Sequence, residues 1–568
     1  MCAYVAVDGI PSCANRYLLQ TLLREHWNWN DPYNWVTSDC GAVTYIETDH
    51  HYVSTDPDAA AAALNAGTDV GCEFGTIMET LPTAVAAGTI TNATIDQALS
   101  RLYSSQINAG YFDSSNEYAS LNWANVGTAE AQFLAYEAAV EGITLLKNNG
   151  VLPIPKSGVN VALIGPWANA TLQMQGNYAG TAPFLISPLA AMQSAWTNVT
   201  YVVGTNISST DTSGFAAAIS AASAADYVIY CGGIDTTVEA EAMDRSTLAW
   251  TGNQLTLVAE LAALSKPLIV VQFGGGQLDD STLLSNANVS ALVWAGYPGQ
   301  DGGTAVRAIL DGSRSVAGRL PITQYPAAYI NEVNPLDPSL RPSSTNPGRT
   351  YKWYSTPVLP FGYGLHYTNF SLSWGKTPAS TYSIATLLHS ASEIIENTPF
   401  VTVTATVKNT GGPAKLPSDF VGLLYISTTN AGPSPYPIKS LISYDRVFNV
   451  TVNGTATLSF PLTLAAITRV VANGSVAIFP GDYTIALDYN STITAKFTLT
   501  GSETIIESIP VPPTDAVPLS YLGCYTDSTN RTLAGGTSST LTSTNTPGTC
   551  GIACNAAGYS YAGVEYGK

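Results

Sequence analysis

Between residues 159 and 294 the chain alternates two textures, and this limits its fold more than any other feature. Short apolar runs stand at 159–164, 227–231, 268–273 and 291–294. Helical runs, such as 215–224 and 255–264, lie between them. Continuous apolar runs suit strands buried on both faces, and helices between them imply a parallel sheet covered on both sides. An α/β sandwich is therefore expected over residues 131–325. It follows a Ser-, Asn- and Gly-containing linker at 113–130.

Residues 1–112 also alternate. Leu18, Leu19, Leu22 and Leu23 fall at helical spacing within 12–27, and 57–64 is an Ala-rich helix. Thr94-Ile95-Asp96-Gln97 reads as a capping box. It opens a helix with Ile95, Leu99, Leu102 and Ile107 on one face, ended by Gly110. Trp35-Val36-Thr37 is aromatic and β-branched and suits a buried strand. Ser38-Asp39-Cys40-Gly41 follows where that strand ends, and Gly67-Thr68-Asp69-Val70 starts the next one. The pattern fits a (β/α) barrel, but a full barrel takes roughly 250 residues. Only its C-terminal half is expected here, with the first half before Met1. A carboxylate at the C-terminal end of a barrel strand reads as catalytic, because the βα loops there form the active face. The competing reading of Asp39 is a cap on the following helix.

Residues 326–369 are rich in Pro, Ser and Asn and read as a connecting segment. From 370 to 505 the texture turns to period-2 strands. Val401-Thr402-Val403-Thr404-Ala405-Thr406-Val407 is the plainest, with Asn409-Thr410-Gly411-Gly412 as its turn. After a proline-rich linker, residues 519–568 begin a separate module.

Hydrophobic residues make up 46% of the 568 and charged ones 11%, so the chain can build cores and is not disordered. A net charge of −19 argues against nucleic acid and anionic membrane as partners. No apolar run is long enough to span a bilayer. The five histidines show no metal spacing, His50-His51 included, and no metal or cofactor is implied. Gly274-Gly275-Gly276 is too bare to define a phosphate loop. Sequons occur at Asn92, Asn169, Asn198, Asn206, Asn288, Asn369, Asn449, Asn453, Asn473, Asn490 and Asn530. With eight cysteines and few lysines they favour a secreted, extracellular glycoprotein. No secretory leader opens the chain, so an N-terminal part is expected to be missing.

Several motifs carry a resemblance. They are Met1-Cys2-Ala3-Tyr4, Val7-Asp8-Gly9-Ile10-Pro11-Ser12-Cys13-Ala14, Ser38-Asp39-Cys40, Gly296-Tyr297-Pro298-Gly299-Gln300-Asp301-Gly302-Gly303, Ala317-Gly318-Arg319-Leu320-Pro321 and Pro360-Phe361-Gly362-Tyr363-Gly364-Leu365. In this order they resemble glycoside hydrolase family 3, its fungal β-xylosidases above all. The resemblance implies a multidomain fold, α/β plus β. Its parts are the half of a TIM-type barrel (1–112), the α/β sandwich (131–325), the connection (326–369) and a fibronectin type III-like β-sandwich (370–505). The stretch from Tyr521-Leu522-Gly523-Cys524-Tyr525 onward resembles a WSC module, a small disulfide-held unit linked with carbohydrate and cell-wall binding. Only its opening part is present.

The resemblance also implies a retaining exo-β-xylosidase that frees xylose from the non-reducing ends of xylo-oligosaccharides or xylan. Such enzymes use two carboxylates about 5–5.5 Å apart. Asp39 occupies the nucleophile position. The loop after residues 227–231 holds Asp235, Glu239, Glu241 and Asp244. The family's acid/base is a Glu shortly before an Asp-Arg pair, which selects Glu241 over Glu239. Glu239 is then a substrate contact. Burial and the charge on Asp39 are expected to keep the proton on Glu241. Cys40 and Cys72 are implied to be bridged beside the sugar, filling the space of a hexose hydroxymethyl. Tyr4 is implied to hydrogen-bond Asp39. Cys2, Cys13 and Cys231 read as small buried residues. The family's Lys-His pair belongs to the part expected before Met1. The rival readings are an α-L-arabinofuranosidase or bifunctional enzyme and, from another class, a non-catalytic carbohydrate-binding protein.

Overall fold

The computed structural model describes residues 1–511 except positions 74, 76, 335, 336, 392, 393, 396 and 413. The module expected at 519–568 lies outside the described residues. Met1–Leu121, with Ala472–Ser475 and residues 507–511, forms one compact unit. Asn122–Val471 with Val476–Ile506 forms a second.

In the first unit, segment 12–27 is not one helix. A 3-10 turn at Ser12–Ala14 is followed by a π-helix at Tyr17–His26. Asn15 separates them: its backbone is extended and its Oδ1 accepts from the Leu18 N–H at 3.2 Å. A side chain that bonds its own backbone in this way competes with a continuous helix. Helices α1 (Thr44–Thr48), α2 (Asp56–Ala66) and α3 (Asn92–Asn108) follow. Helix α3 is capped by Thr91, whose side chain accepts from the Thr94 N–H, so Thr94 stands inside the first turn and not at the cap. Leu99 and Ile107, expected on a packed face, are exposed, and Ala98 is buried instead.

The segments read as strands around Asp39 pair only through isolated parallel bridges, Cys2 with Ser38 and Thr37 with Val70. The reason is a side chain. The Val36 N–H donates to Asp69 Oδ2 at 2.8 Å in place of a ladder carbonyl. The Val36 carbonyl accepts from both Asp69 and Val70, at 2.8 and 3.1 Å. Asp69 is buried and also meets Arg24 at 2.7 Å and Arg101 at 2.9 Å. Arg24, 2% exposed, donates further to the carbonyls of Asn34 and Gly67. One carboxylate thus joins the π-helix, the segment leading to Asp39, and α3.

In the second unit, helix α4 (Ala129–Gly142) leads into strands β1 (Thr144–Asn148), β2 (Asn160–Ile164), β3 (Asn198–Val202), β4 (Tyr227–Gly233), β5 (Leu268–Phe273) and β6 (Val289–Gly296). They form one sheet in the order β1-β6-β5-β4-β2-β3. All pairs are parallel except β1 with β6. Alternate residues serve two cores. Leu163, Ile229, Cys231 and Val271 face one, with helices α4, α5 (Pro188–Ala195) and a later helix over Gly302–Leu310. Ile164, Val228, Tyr230 and Val270 face the other, with α6 (Phe215–Ala224) and α7 (Gln254–Ala263). The two-sided sheet is therefore as expected. The antiparallel β1 and the half-polar edge strand β3 were not foreseen.

The same unit holds an all-β part. Strands β7 (Asn369–Lys376), β9 (Pro399–Gly411) and β12 (Thr455–Thr463) form a sheet in the order β12-β9-β7. Strands β8 (Thr381–Ser383), β10 (Ser418–Thr428), β11 (Ser440–Val450), β13 (Gly481–Leu487) and β14 (Ile493–Thr500) form another, β8-β14-β13-β10-β11. Val403, Ala405 and Leu458 from the first share a core with Leu424, Ile485 and Phe497 from the second. Asn409 is not in a turn: β9 continues to Gly411. Its buried amide explains this, accepting from Thr368 and Gly411 and donating to Leu416 and Val450. Arg319 links the all-β part to the α/β part, donating to the carbonyls of Gly364 and Val421 and pairing with Asp488.

Two outcomes are expected. Asp69→Asn leaves Arg24 buried without a counter-charge, which costs about 3–5 kcal/mol. Limited proteolysis of the variant should cut within 1–121 well before the parent is cut there. The second concerns Asp280, buried and hydrogen-bonded by Trp250 and Gln324. Burial pushes its carboxyl up to about 7. The unfolded chain gives up this proton near pH 4, so between about pH 4 and 7 it holds fewer protons than the native state. The stabilisation is full below that window and is lost as pH rises through it. Asp280→Asn should flatten this fall when melting temperature is followed from pH 4 to 8.

Candidate active site

Asp39 is half-buried and held from both sides. Its N–H donates to the Cys2 carbonyl at 3.0 Å, and its carbonyl accepts from Ala42 at 3.0 Å. The neighbouring Ser38 N–H donates to Val70 and the Gly41 N–H to Cys72, at 2.8 and 2.7 Å. Helix α1 starts just beyond, and its first donors need acceptors. Glu73 supplies them. Its carboxylate accepts from the Val43 N–H at 3.0 Å, the Thr44 N–H at 3.4 Å and the Thr44 hydroxyl at 2.8 Å. Asp39 is thereby spared the capping role. Its Oδ1 accepts from the Cys40 N–H at 2.9 Å, and Oδ2 accepts no hydrogen bond among the described residues. Glu73 escaped the sequence reading; its place directly after Cys72, at a strand end, was the available signal.

Cys40 and Cys72 are disulfide-bonded, with Cα atoms 4.3 Å apart. Cys2 and Cys13 are buried, as expected, and are bonded to each other, which their reading as small buried residues did not include. Their Cα atoms lie 5.1 Å apart, inside bridging range. This second bridge ties down the residue whose carbonyl holds Asp39. The Tyr4 hydroxyl donates to the Cys40 carbonyl at 2.8 Å, so its proton goes one residue past Asp39 and not to the carboxylate. His50 Nε2 lies 2.6 Å from the Tyr4 carbonyl and His51 Nδ1 3.1 Å from that of Glu47. Among the described residues no group of three His, Cys, Asp or Glu could hold a metal.

In the second unit the loop leaving β4 carries the other candidate acids. Asp235 is buried and accepts from the Thr237 N–H and hydroxyl, which fixes the loop's first turn. Ala240 and Met243 exchange two backbone hydrogen bonds around a tight turn, with Ala242 at φ +59°. Glu241 sits at the tip of that turn and is exposed, not buried as a retained proton would favour. Glu239 pairs with Arg245 at 2.5 Å. A carboxylate engaged by a guanidinium is occupied as an acceptor. A cavity of about 650 Å³ opens here, lined among others by Asn177, Glu239, Asp244, Arg245, Gly276 and Tyr297. Burial raises the Tyr297 hydroxyl above its ordinary range. Gly275 and Gly276 belong to this wall: a Cβ on Gly276 would lie 2.1 Å from Glu239 Oε1 and 2.7 Å from Arg245 Nη2. Its lack of a side chain makes room for the ion pair. Sequence reasoning found the Asp244-Arg245 step but not Asn177 or Tyr297, which come from distant loops.

Residues 1–105 match the glycosyl hydrolase family 3 N-terminal domain, and 143–367 match the family's C-terminal domain. The chain belongs to glycosyl hydrolase family 3. Residues 521–568 match the WSC domain. Among relatives, a "probable exo-1,4-beta-xylosidase bxlB" of Aspergillus fumigatus is 49% identical over 520 residues, covering 90% of this chain and 67% of the relative. The "exo-1,4-beta-xylosidase bxlB" of Emericella nidulans is 47% identical over 524 residues, covering 91% and 67%. The solved family 3 exo-β-xylosidase XlnD, in complex with a xylobiose aziridine probe, superimposes with a TM-score of 0.86. It shares 45% identity and covers 90% of this chain and 66% of its own. A β-glucosidase from Listeria innocua, 22% identical with a TM-score of 0.73, covers 88% of this chain and 67% of its own and shares the fold. The chain spans about two thirds of the length of these proteins.

Glu73→Ala removes the acceptor for three donors at the start of α1. Loss of a helix cap costs about 1 kcal/mol. Hydrogen exchange of the 41–44 amides should speed up markedly in the variant, and Glu73→Gln should restore part of the protection. Unchanged exchange in Glu73→Ala would show that the contact does not hold this segment.

Proposed function

We propose that this chain carries both catalytic carboxylates of a retaining exo-1,4-β-xylosidase. The observation that carries the reading is the Asp39 carboxylate, whose Oδ2 accepts no hydrogen bond among the described residues while Glu73 caps the adjacent helix. Asp39 is the nucleophile on the anomeric carbon of a terminal xylose. Glu241 protonates the leaving oxygen and then activates the water that releases the sugar. Glu239, paired with Arg245, is a substrate contact in the cavity wall. The Cys40–Cys72 bridge stands next to Asp39 and excludes a hexose hydroxymethyl, which xylose lacks. The relatives named exo-1,4-β-xylosidase and the xylobiose-derived probe on XlnD support a β-1,4-xyloside as substrate.

The finer fold belongs to the same reading. The parallel bridges of Cys2 with Ser38 and Thr37 with Val70 support residues 1–112 as half of a TIM-type barrel. The two sheets with a shared core support a fibronectin type III-like domain at 370–505. The WSC match supports attachment to cell-wall polysaccharide through 519–568. Two disulfides support an oxidising, extracellular site of action.

Asp39→Asn should lower kcat on aryl β-xylosides by roughly three to five orders of magnitude. A fluorinated xyloside should label the peptide containing Asp39, and label on another residue overturns the assignment. Glu241→Ala should slow poor leaving groups more than good ones, with azide restoring turnover. Should Glu239→Ala behave this way instead, the acid has been misassigned. Replacing Cys40 and Cys72 with Ala should raise glucoside relative to xyloside hydrolysis.

A further inference from the structure

We propose that Asn449 and Asn453 carry N-linked glycans, and that these glycans cover an exposed aromatic face on the neighbouring edge strand. The inference rests on the reading of the chain as secreted, not on its catalytic assignment. Ten of the eleven sequon asparagines lie among the described residues, and all ten are exposed. Other asparagines are not so uniform: Asn15, Asn346 and Asn409 are buried. Exposure alone does not rank the ten; side-chain engagement sets four of them aside, Asn490 included, whose Oδ1 accepts from the Thr492 hydroxyl at 2.5 Å. Asn198 donates its amide to Asn160 at 3.0 Å, and Asn169 and Asn473 accept from Ser187 and Ser475. The side-chain amides of the other six, Asn92, Asn206, Asn288, Asn369, Asn449 and Asn453, make no hydrogen bond among the described residues. Of these, Asn449 and Asn453 stand out because they adjoin the exposed Tyr444 and Phe448 of an edge strand.

Asn449 stands at the irregular end of β11, where the register with β10 shifts, and Asn453 in the turn to β12, at φ +50° and +66°. Asparagine tolerates this left-handed conformation. Strand β11 is the outermost of its five-stranded sheet. Tyr444 and Phe448 project from it at 74% and 63% exposure, with Arg446 over the Phe448 ring at 5.3 Å. An edge strand with exposed aromatic side chains invites pairing with another chain. A glycan on the residue after Phe448, and another four residues on, is bulky and hydrophilic at this point.

The transfer needs a lipid-linked oligosaccharide as donor. The Nδ2 nitrogen forms a bond to the anomeric carbon of its N-acetylglucosamine, the lipid diphosphate leaves as the anion, and the displaced amide proton goes to solvent. The Thr451 and Thr455 hydroxyls complete the two sequons.

The full chain, placed behind a secretory leader in a eukaryotic host, tests this. Glycans are removed with peptide N-glycosidase in heavy-oxygen water, and peptides from the microsomal and secreted fractions are mapped. Asn449 and Asn453 should both appear as heavy-labelled Asp. Finding both unlabelled in molecules labelled at Asn288 overturns the assignment. Thr451→Ala with Thr455→Ala, which removes both sequons and keeps the left-handed asparagines, should leave the melting temperature unchanged and raise light scattering several-fold. A double variant as soluble as the glycosylated parent overturns the shielding role. Labelling at both sites in a chain that fails on xylosides leaves this proposal standing and defeats the catalytic one.

Discussion

The Asp69 carboxylate is the interaction on which the first unit depends. It draws Arg24 from the π-helix, Arg101 from α3 and the Val36 N–H to one point. Buried charge is tolerable only when it is paired and fully hydrogen-bonded, and here three groups share the compensation. The geometry has a direct outcome three residues away. Because Val36 is fixed by a side chain, the backbone from Thr37 to Gly41 can bond alternately to Cys2, Val70 and Cys72, and Asp39 emerges at a defined place.

A different constraint rules the second unit. Six strands expose two faces, and every residue from Leu268 to Phe273 is buried. Both faces must be covered by helices, and the loops at the C-terminal strand ends are left to form the cavity. Glu239, Gly276 and Tyr297 come from three such loops, each one step past β4, β5 or β6. The cavity is a by-product of sheet order, and its chemistry depends on what each loop brings.

These origins explain what the sequence disclosed. Runs such as Leu268–Phe273 and Phe215–Ala224 were legible because burial on a sheet or helix imposes a period on neighbouring residues. Asp39 and the Asp244-Arg245 step were legible because they sit in contiguous motifs. Glu73, the Cys2–Cys13 bridge and the Tyr4 to Cys40 bond were not, since each joins residues far apart in the chain or depends on a side-chain direction that no period encodes. Asn409 misled for a related reason. Its composition signals a turn, yet four buried hydrogen bonds make it a strand residue.

Cys231 has a consequence of its own. It is a buried free thiol at the centre of β4, and burial raises it far above the range in which a thiolate forms. In the finished protein it takes no part in exchange, because only the thiolate attacks a disulfide. In the nascent chain it is an equal competitor for Cys2, Cys13, Cys40 and Cys72. Closure of the parallel sheet withdraws Cys231 from that competition, so the middle of the chain guards the chemistry of its beginning.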